Sequence, residues 1–217
     1  MNTMGEMSAW KLIQAGGVIM YPILLCSILA LGIIIEKVMY FFNIQTDIPK
    51  LKKEVFDSVQ NNKIREAIQL CDANASPVAR IMKAGLIKFG STREEIKESM
   101  EDASLYEIPK LESRLSALAT IAHIAPLLGL LGTVTGMARC FYTIQTQAAA
   151  MSPLTPSDLA GGIWEALLTT VAGLMVAIPA YMVYNYFVNR VHHFTLDMER
   201  AATELINVMG QLTETRL

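Results

Sequence analysis

The chain has 217 residues, 53% hydrophobic and 18% charged, with a formal net charge of −2 and a mean hydropathy of +0.37. Soluble domains carry about 25% charged residues, so the composition excludes an ordinary soluble globule, and the slightly acidic balance argues against a nucleic-acid partner. Three cysteines, Cys26, Cys71 and Cys140, are an odd number without metal-ligand spacing, which favours unpaired thiols over a disulfide framework or a metal site.

Residues 1–16 form an N-terminal arm whose one basic residue is Lys11. No signal peptide is expected there. The apolar run that follows is too long for a signal h-region, and no small-residue cleavage site comes at the right distance. That run, residues 17–42, is the first of three stretches almost free of charge; the others are 118–144 and 162–188. Each exceeds the ~20 apolar residues that cross a ~30 Å hydrocarbon core. In lipid each must satisfy its own backbone hydrogen bonds, so all three are predicted to be transmembrane helices.

Lys and Arg near the helix ends set the topology. Lys50, Lys52 and Lys53 follow the first helix, Lys110 and Arg114 precede the second, and Arg190 and Arg200 follow the third, whereas residues 145–161 contain no Lys or Arg. The expectation is a cytoplasmic domain at 43–117, a periplasmic loop at 145–161 and a cytoplasmic C-terminal helix at 189–217, with the N-terminal arm outside. Trp10 and Tyr21 then fit the outer interface and Tyr40 the inner one.

The 43–117 segment carries equal numbers of basic and acidic residues and a helical pattern. Leu51, Val55 and Val59 repeat at helical spacing, as do Ile64, Ile68 and Cys71. Ser76-Pro77 reads as an N-cap followed by proline at the first helical position. Ser91 with Glu94 reads as a capping box. From there the pattern runs towards the second membrane helix and can merge with it, with a kink at Pro109. With no histidine and no nucleophile–base pair, this segment reads as solvated helices packed on each other. The third helix is expected to continue past the membrane, because Phe194, Met198, Ala201, Leu205, Val208 and Leu212 recur every three or four residues. The fold class is therefore an all-α membrane protein, with three transmembrane helices extended by a cytoplasmic helical domain.

Within the membrane helices, small residues mark packing faces: Gly129, Gly132, Thr133 and Gly136 on the second helix, and Ala166, Thr170, Gly173 and Ala177 on the third. Glycine is common in membrane helices, so packing within one monomer explains any single one as well. Glu165 lies just inside the outer end of the third helix. A charged side chain at the helix centre costs about 2.5–3.5 kcal/mol and usually faces protein or water. Position alone leaves two readings, a polar stripe with Thr169 and Thr170 or a carboxylate hydrated at the interface. Arg139 reads first as a snorkelling anchor, and an ion pair with Glu165 is the alternative, since both sit at one membrane level. Glu36 and Lys37 read as interfacial. His123 reads as a packing histidine rather than a proton relay. Pro126 and Pro179 each free one backbone carbonyl, either in a packed kink or facing a pore.

Two of these stretches carry a resemblance. The run from Ala125 to Met137, APLLGLLGTVTGM, resembles the second-helix signature of the MotA/TolQ/ExbB proton-channel family. The run from Gly161 to Gly173, GGIWEALLTTVAG, continued by Ala177–Ala180 and by Tyr184-Asn185, resembles its third-helix signature, nearest to the ExbB branch. The resemblance implies a pentamer whose second and third helices line a pore around a dimer of single-span ExbD-like subunits. A partner aspartate would take up and release protons. The resulting motion would energise an outer-membrane process through a TonB-like protein, from the bacterial inner membrane. It places the pore threonines on Thr133 and Thr170 and the pore-end glutamate on Glu165. Arg139 departs from the family pattern, where a neutral residue is usual, and would add a charge at the outer pore. No cofactor is implied. The rival readings are a TolQ-type or flagellar-stator relative driving another process, and a membrane scaffold that moves no ions. An intramembrane enzyme is disfavoured, because no nucleophile–base pair or ligand cluster supports one.

Overall fold

A computed structural model of the chain describes residues 13–44, 47–151, 153 and 155–214. Trp10, Lys11 and most of the N-terminal arm lie outside the described residues. All regular structure within them is helical: α1 (Met20–Asn43), α2 (Ile48–Gln60), α3 (Ile64–Asp72), α4 (Pro77–Ile87), α5 (Arg93–Glu112), α6 (Leu115–Ala149) and α7 (Pro156–Glu214). α1, α6 and α7 hold the three segments long and apolar enough to cross a membrane. The chain is thus an all-α membrane protein.

The residues fall into two compact units. The first takes its described residues from 1–35 and 114–185, and so contains the apolar parts of α1, α6 and α7. Its core is small: Ala30 from α1, Leu118, Ile121 and Ala122 from α6, and Ala180 from α7, edged by Cys26, Ile34, Val176 and Tyr184. Large side chains point outward instead, among them Leu25, Ile28, Leu127, Leu130, Val134, Leu167 and Met175. A soluble monomer rarely exposes so continuous an apolar surface. Here it is what lipid or neighbouring helices require.

The second unit comprises residues 36–113 and the described part of 186–217. Its core follows the amphipathic pattern of the sequence: Leu51, Val55 and Val59 from α2, Ile81, Met82 and Leu86 from α4, Met100 and Leu111 from α5, and Met198, Leu205 and Met209 from α7 are all buried. On α3 the buried pair is Ala67 and Cys71, with Ile64 and Ile68 half-buried at the edge. Phe41 stacks on Phe187 at 5.0 Å between ring centroids and lies 6.0 Å from Phe194. Ion pairs close the rim, with Lys52 Nζ 2.6 Å from Glu204 and Lys83 bonded to Asp72.

Local capping sets where these helices begin. The Ser76 hydroxyl accepts from Ala79 N at 3.2 Å, with Pro77 opening α4. The capping box of α5 is one residue later than Ser91 and Glu94. Thr92 accepts from Glu95 N at 3.3 Å, and the Glu95 carboxylate accepts from Thr92 N at 3.2 Å. The Ser91 N–H is already used, donating to Lys88 O in the turn that closes α4.

α5 does not merge with α6 and holds Pro109 inside it. It runs to Glu112, and the break falls at Ser113 (φ −49°, ψ 139°) and Arg114 (φ 60°, ψ −7°). Lys37 supplies the reason. Its ammonium donates to Leu111 O and to Ser113 Oγ, each at 3.1 Å, and the residue is 1% exposed. A helix end leaves its last carbonyls unpaired and partly negative, and a buried ammonium satisfies both needs. Lys37 is therefore a C-terminal cap on α5 rather than a side chain turned towards water.

Candidate functional site

The small residues of α6 and α7 form one seam. A Cβ on Gly173 would stand 2.5 Å from Ala125 O, one on Gly136 would stand 2.8 Å from Gly162 O, and one on Gly129 would stand 3.0 Å from Thr170 Cα. A Cβ on Gly132 would overlap the side chain of Thr169. Backbone thus meets backbone along three turns, an approach that small residues, glycine above all, allow. Thr169 is fully buried in this seam, its hydroxyl donating to Ala166 O at 2.9 Å and Glu165 O at 3.1 Å. Numbers rise along α6 as they fall along α7, so the two helices are antiparallel.

The threonines expected to line a pore flank the seam. Thr170 Oγ1 donates across it to Gly129 O at 3.2 Å, and Thr133 Oγ1 donates to Leu130 O at 2.6 Å. Carbonyl oxygens only accept, so both hydroxyl protons are committed to backbone. What each hydroxyl has left is lone pairs. Both residues are half-buried. Towards any third group, this flank offers acceptors, suited to water or to the O–H of a protonated acid.

Glu165 and Arg139 meet at the other flank. Arg139 Nη1 lies 2.8 Å from Glu165 Oε1 and 2.9 Å from Oε2. The glutamate side chain is 15% exposed and the arginine 57%. The first reading of Arg139 as a snorkelling anchor gives way to the alternative: the structure pairs it with Glu165. At about 100° per residue, Arg139 stands roughly 120° around α6 from Thr133, and Glu165 roughly 140° around α7 from Thr170. The charged pair and the hydroxyl pair therefore occupy opposite sides of one seam.

Gly17 completes the charged side. Its φ is +66°, and a Cβ there would overlap the Glu165 carboxylate and lie 3.5 Å from Arg139 Nη1. Sequence reasoning did not single out Gly17. The signal was the Gly16-Gly17 pair where the first apolar run begins, since glycine permits a left-handed turn at no steric cost. Among the described residues, no group of three or more His, Cys, Asp or Glu side chains could hold a metal.

Comparison with known proteins identifies the family. The model of the MotA/TolQ/ExbB proton channel family matches residues 73–200, which take in all of α6 and most of α7. A putative biopolymer transport protein, ExbB-like 3 of Synechocystis, is 34% identical over 174 residues, covering 80% of this chain and 82% of its own. The biopolymer transport protein ExbB of Salmonella typhimurium is 30% identical over 220 residues, covering 93% of this chain and 86% of its own. The Tol-Pal system protein TolQ of Haemophilus influenzae is 28% identical over 194 residues, covering 84% and 83%.

Proposed function

Because the chain belongs to the MotA/TolQ/ExbB proton channel family, we propose that it is the proton-channel and motor subunit of an ExbB–ExbD type inner-membrane complex. In this reading the proton motive force, acting through the complex, energises TonB-dependent transport across an outer membrane. The similarity to ExbB of Salmonella typhimurium over 93% of the chain is the observation that carries it.

The chemistry of the seam supports the same reading. Thr133 and Thr170 present lone pairs, and neither hydroxyl can itself carry charge across a membrane. The protonatable carrier comes from a second chain, an ExbD-like single-span subunit, held as a dimer inside a ring of five copies of this one. Its aspartate, when protonated, donates to the threonine lone pairs; when ionised, it finds no donor there. Each proton crossing 100 mV releases about 2.3 kcal/mol, so several must pass for each substantial mechanical step, delivered to a TonB-like protein. The distribution of Lys and Arg orients the N-terminus and residues 145–161 to the periplasm, and the 43–117 segment and the C-terminus to the cytoplasm.

The test has two parts. Native mass spectrometry of the complex, purified with the products of neighbouring genes, should give five copies around a small single-span partner; a monomer in mild detergent would count against the ring. Thr133→Val and Thr170→Val should each abolish proton-driven uptake while the complex still assembles, and intact uptake in both would favour a non-conducting scaffold. A second reading, a TolQ-type role, draws on the similarity to the Haemophilus influenzae protein over 84% of the chain. It predicts that deleting the gene weakens the cell envelope and leaves energised uptake untouched.

A further inference from the structure

His123 lies on α6 inside the apolar span, five residues from the start of 118–144. Its Nδ1 stands 2.8 Å from Ala119 O. A carbonyl oxygen only accepts, so Nδ1 carries the hydrogen, which leaves Nε2 of the neutral ring as an acceptor. Nε2 has no hydrogen-bond partner among the described residues, and the side chain is exposed. An imidazole nitrogen aimed at lipid would lose its hydration without compensation. The exposure therefore favours a water-filled or partner-lined passage over the bilayer.

Its place on the helix says which passage. Ten residues separate His123 from Thr133, about 15 Å along the axis and roughly 80° around it. On the antiparallel α7, Tyr181 stands eleven residues from Thr170, about 16 Å along and roughly 20° around. The two displacements run the same way, and they bring the His123 and Tyr181 rings edge to face at 6.1 Å between centroids. Tyr181 thus continues the line of Thr170 towards the end where α6 begins, and His123, turned about 80° from Thr133, reaches that line through its contact with the Tyr181 ring, away from Arg139 and Glu165. Tyr181 is the titratable group packed against the imidazole, and no ion pair among the described residues involves His123.

We infer that His123 is a proton relay at that end of the path lined by Thr133 and Thr170, receiving and releasing the proton at Nε2. This rests on the channel function proposed above. A protonated carboxylic acid of the partner, or a hydronium ion, gives its proton to the Nε2 lone pair and becomes carboxylate or water. The imidazolium keeps its Nδ1–H on Ala119 O and later returns the new proton from Nε2 to water at the mouth. No other bond forms or breaks. Because Nδ1–H is held by its own helix, the transfer uses one nitrogen in both directions.

The test reconstitutes the complex, purified with its co-expressed partner, in liposomes containing a pH-sensitive dye, with proton entry driven by a potassium–valinomycin potential. H123F should lower proton flux about ten-fold or more, with the mass of the assembly unchanged. H123A should lose flux similarly and regain much of it when free imidazole is added, which a merely structural histidine would not allow. Parental flux in H123F, or a loss in H123A that imidazole does not relieve, overturns the inference and leaves the channel standing. A parent complex that carries no protons overturns both.

Discussion

One guanidinium nitrogen of Arg139 bridges both carboxylate oxygens of Glu165, at 2.8 and 2.9 Å, and so ties α6 to α7 beside their glycine seam. With the glutamate 15% exposed, removing its partner strands a poorly solvated charge. Breaking a buried pair costs about 3–5 kcal/mol, but an arginine more than half exposed is strongly screened. Arg139→Met should therefore destabilise the assembled protein by about 1–2 kcal/mol, read as a lowered melting temperature in detergent. Exchanging the charges, Arg139→Glu with Glu165→Arg, should recover part of the loss shown by either single change. Strictly additive losses would mean that the two side chains do not depend on each other.

The fit of Gly132 against Thr169 predicts an unusual rescue. A methyl at position 132 overlaps both the Cβ and the Oγ1 of Thr169. Overpacking of this kind costs about 1–3 kcal/mol. Thr169→Ala removes the hydroxyl but keeps the Cβ, so it should not repair Gly132→Ala. Thr169→Gly should, at the helix cost of about 1 kcal/mol for the added glycine. Yield of assembled complex on a sizing column checks this, and equal rescue by both changes would place the seam elsewhere.

Lys37 bears on the break between α5 and α6. Its ammonium is the donor that meets Leu111 O and Ser113 Oγ. Hydrogen bonds to a charged group contribute about 1.5–3 kcal/mol. Lys37→Met keeps the length and removes the charge. It should fray the end of α5, seen as faster amide hydrogen exchange over residues 109–114, with exchange across α2 and α3 unchanged. Unchanged protection at 109–114 would show that the cap contributes nothing.

Cys71 is 2% exposed, and burial, reinforced by the neighbouring carboxylate of Asp72, pushes its thiol up to about 12. The thiolate is the reactive form. In a Cys26→Ser, Cys140→Ser background, alkylation at pH 8.5 should be at least about a thousand-fold slower in the folded protein than in denaturant, measured by intact mass. The linkage follows in sign. From an ordinary thiol value of about 8.5 up to about 12, the folded state holds the proton and the unfolded state has released it. Stability from this group is therefore complete below about pH 8.5 and declines as the pH rises towards 12. Rapid labelling of the native protein would show that the α3 face is open.

Much of this architecture is legible along the chain. Three long uncharged runs require helices that satisfy their own backbone, whatever lies beside them. Ser76-Pro77 announces the start of α4 through bonds that close within four residues, and the two glycine-rich signatures identify the family before any coordinate is known. Local and compositional information is enough for features whose energetics are local.

Tertiary contact decided the rest. Thr92 rather than Ser91 caps α5 because the preceding turn already uses the Ser91 N–H. Lys37 lies near the end of an apolar run and reads as a charge seeking water, yet a helix end 74 residues later receives it. Arg139 and Glu165 sit at one membrane level, and along the chain Arg139 reads first as a snorkelling anchor, yet the structure pairs the two. Which side of α6 meets which side of α7 separates the ion pair from the hydroxyls. That choice is made by how closely two backbones approach at Gly129, Gly132, Gly136 and Gly173, a quantity that belongs to both helices together and is written in neither alone.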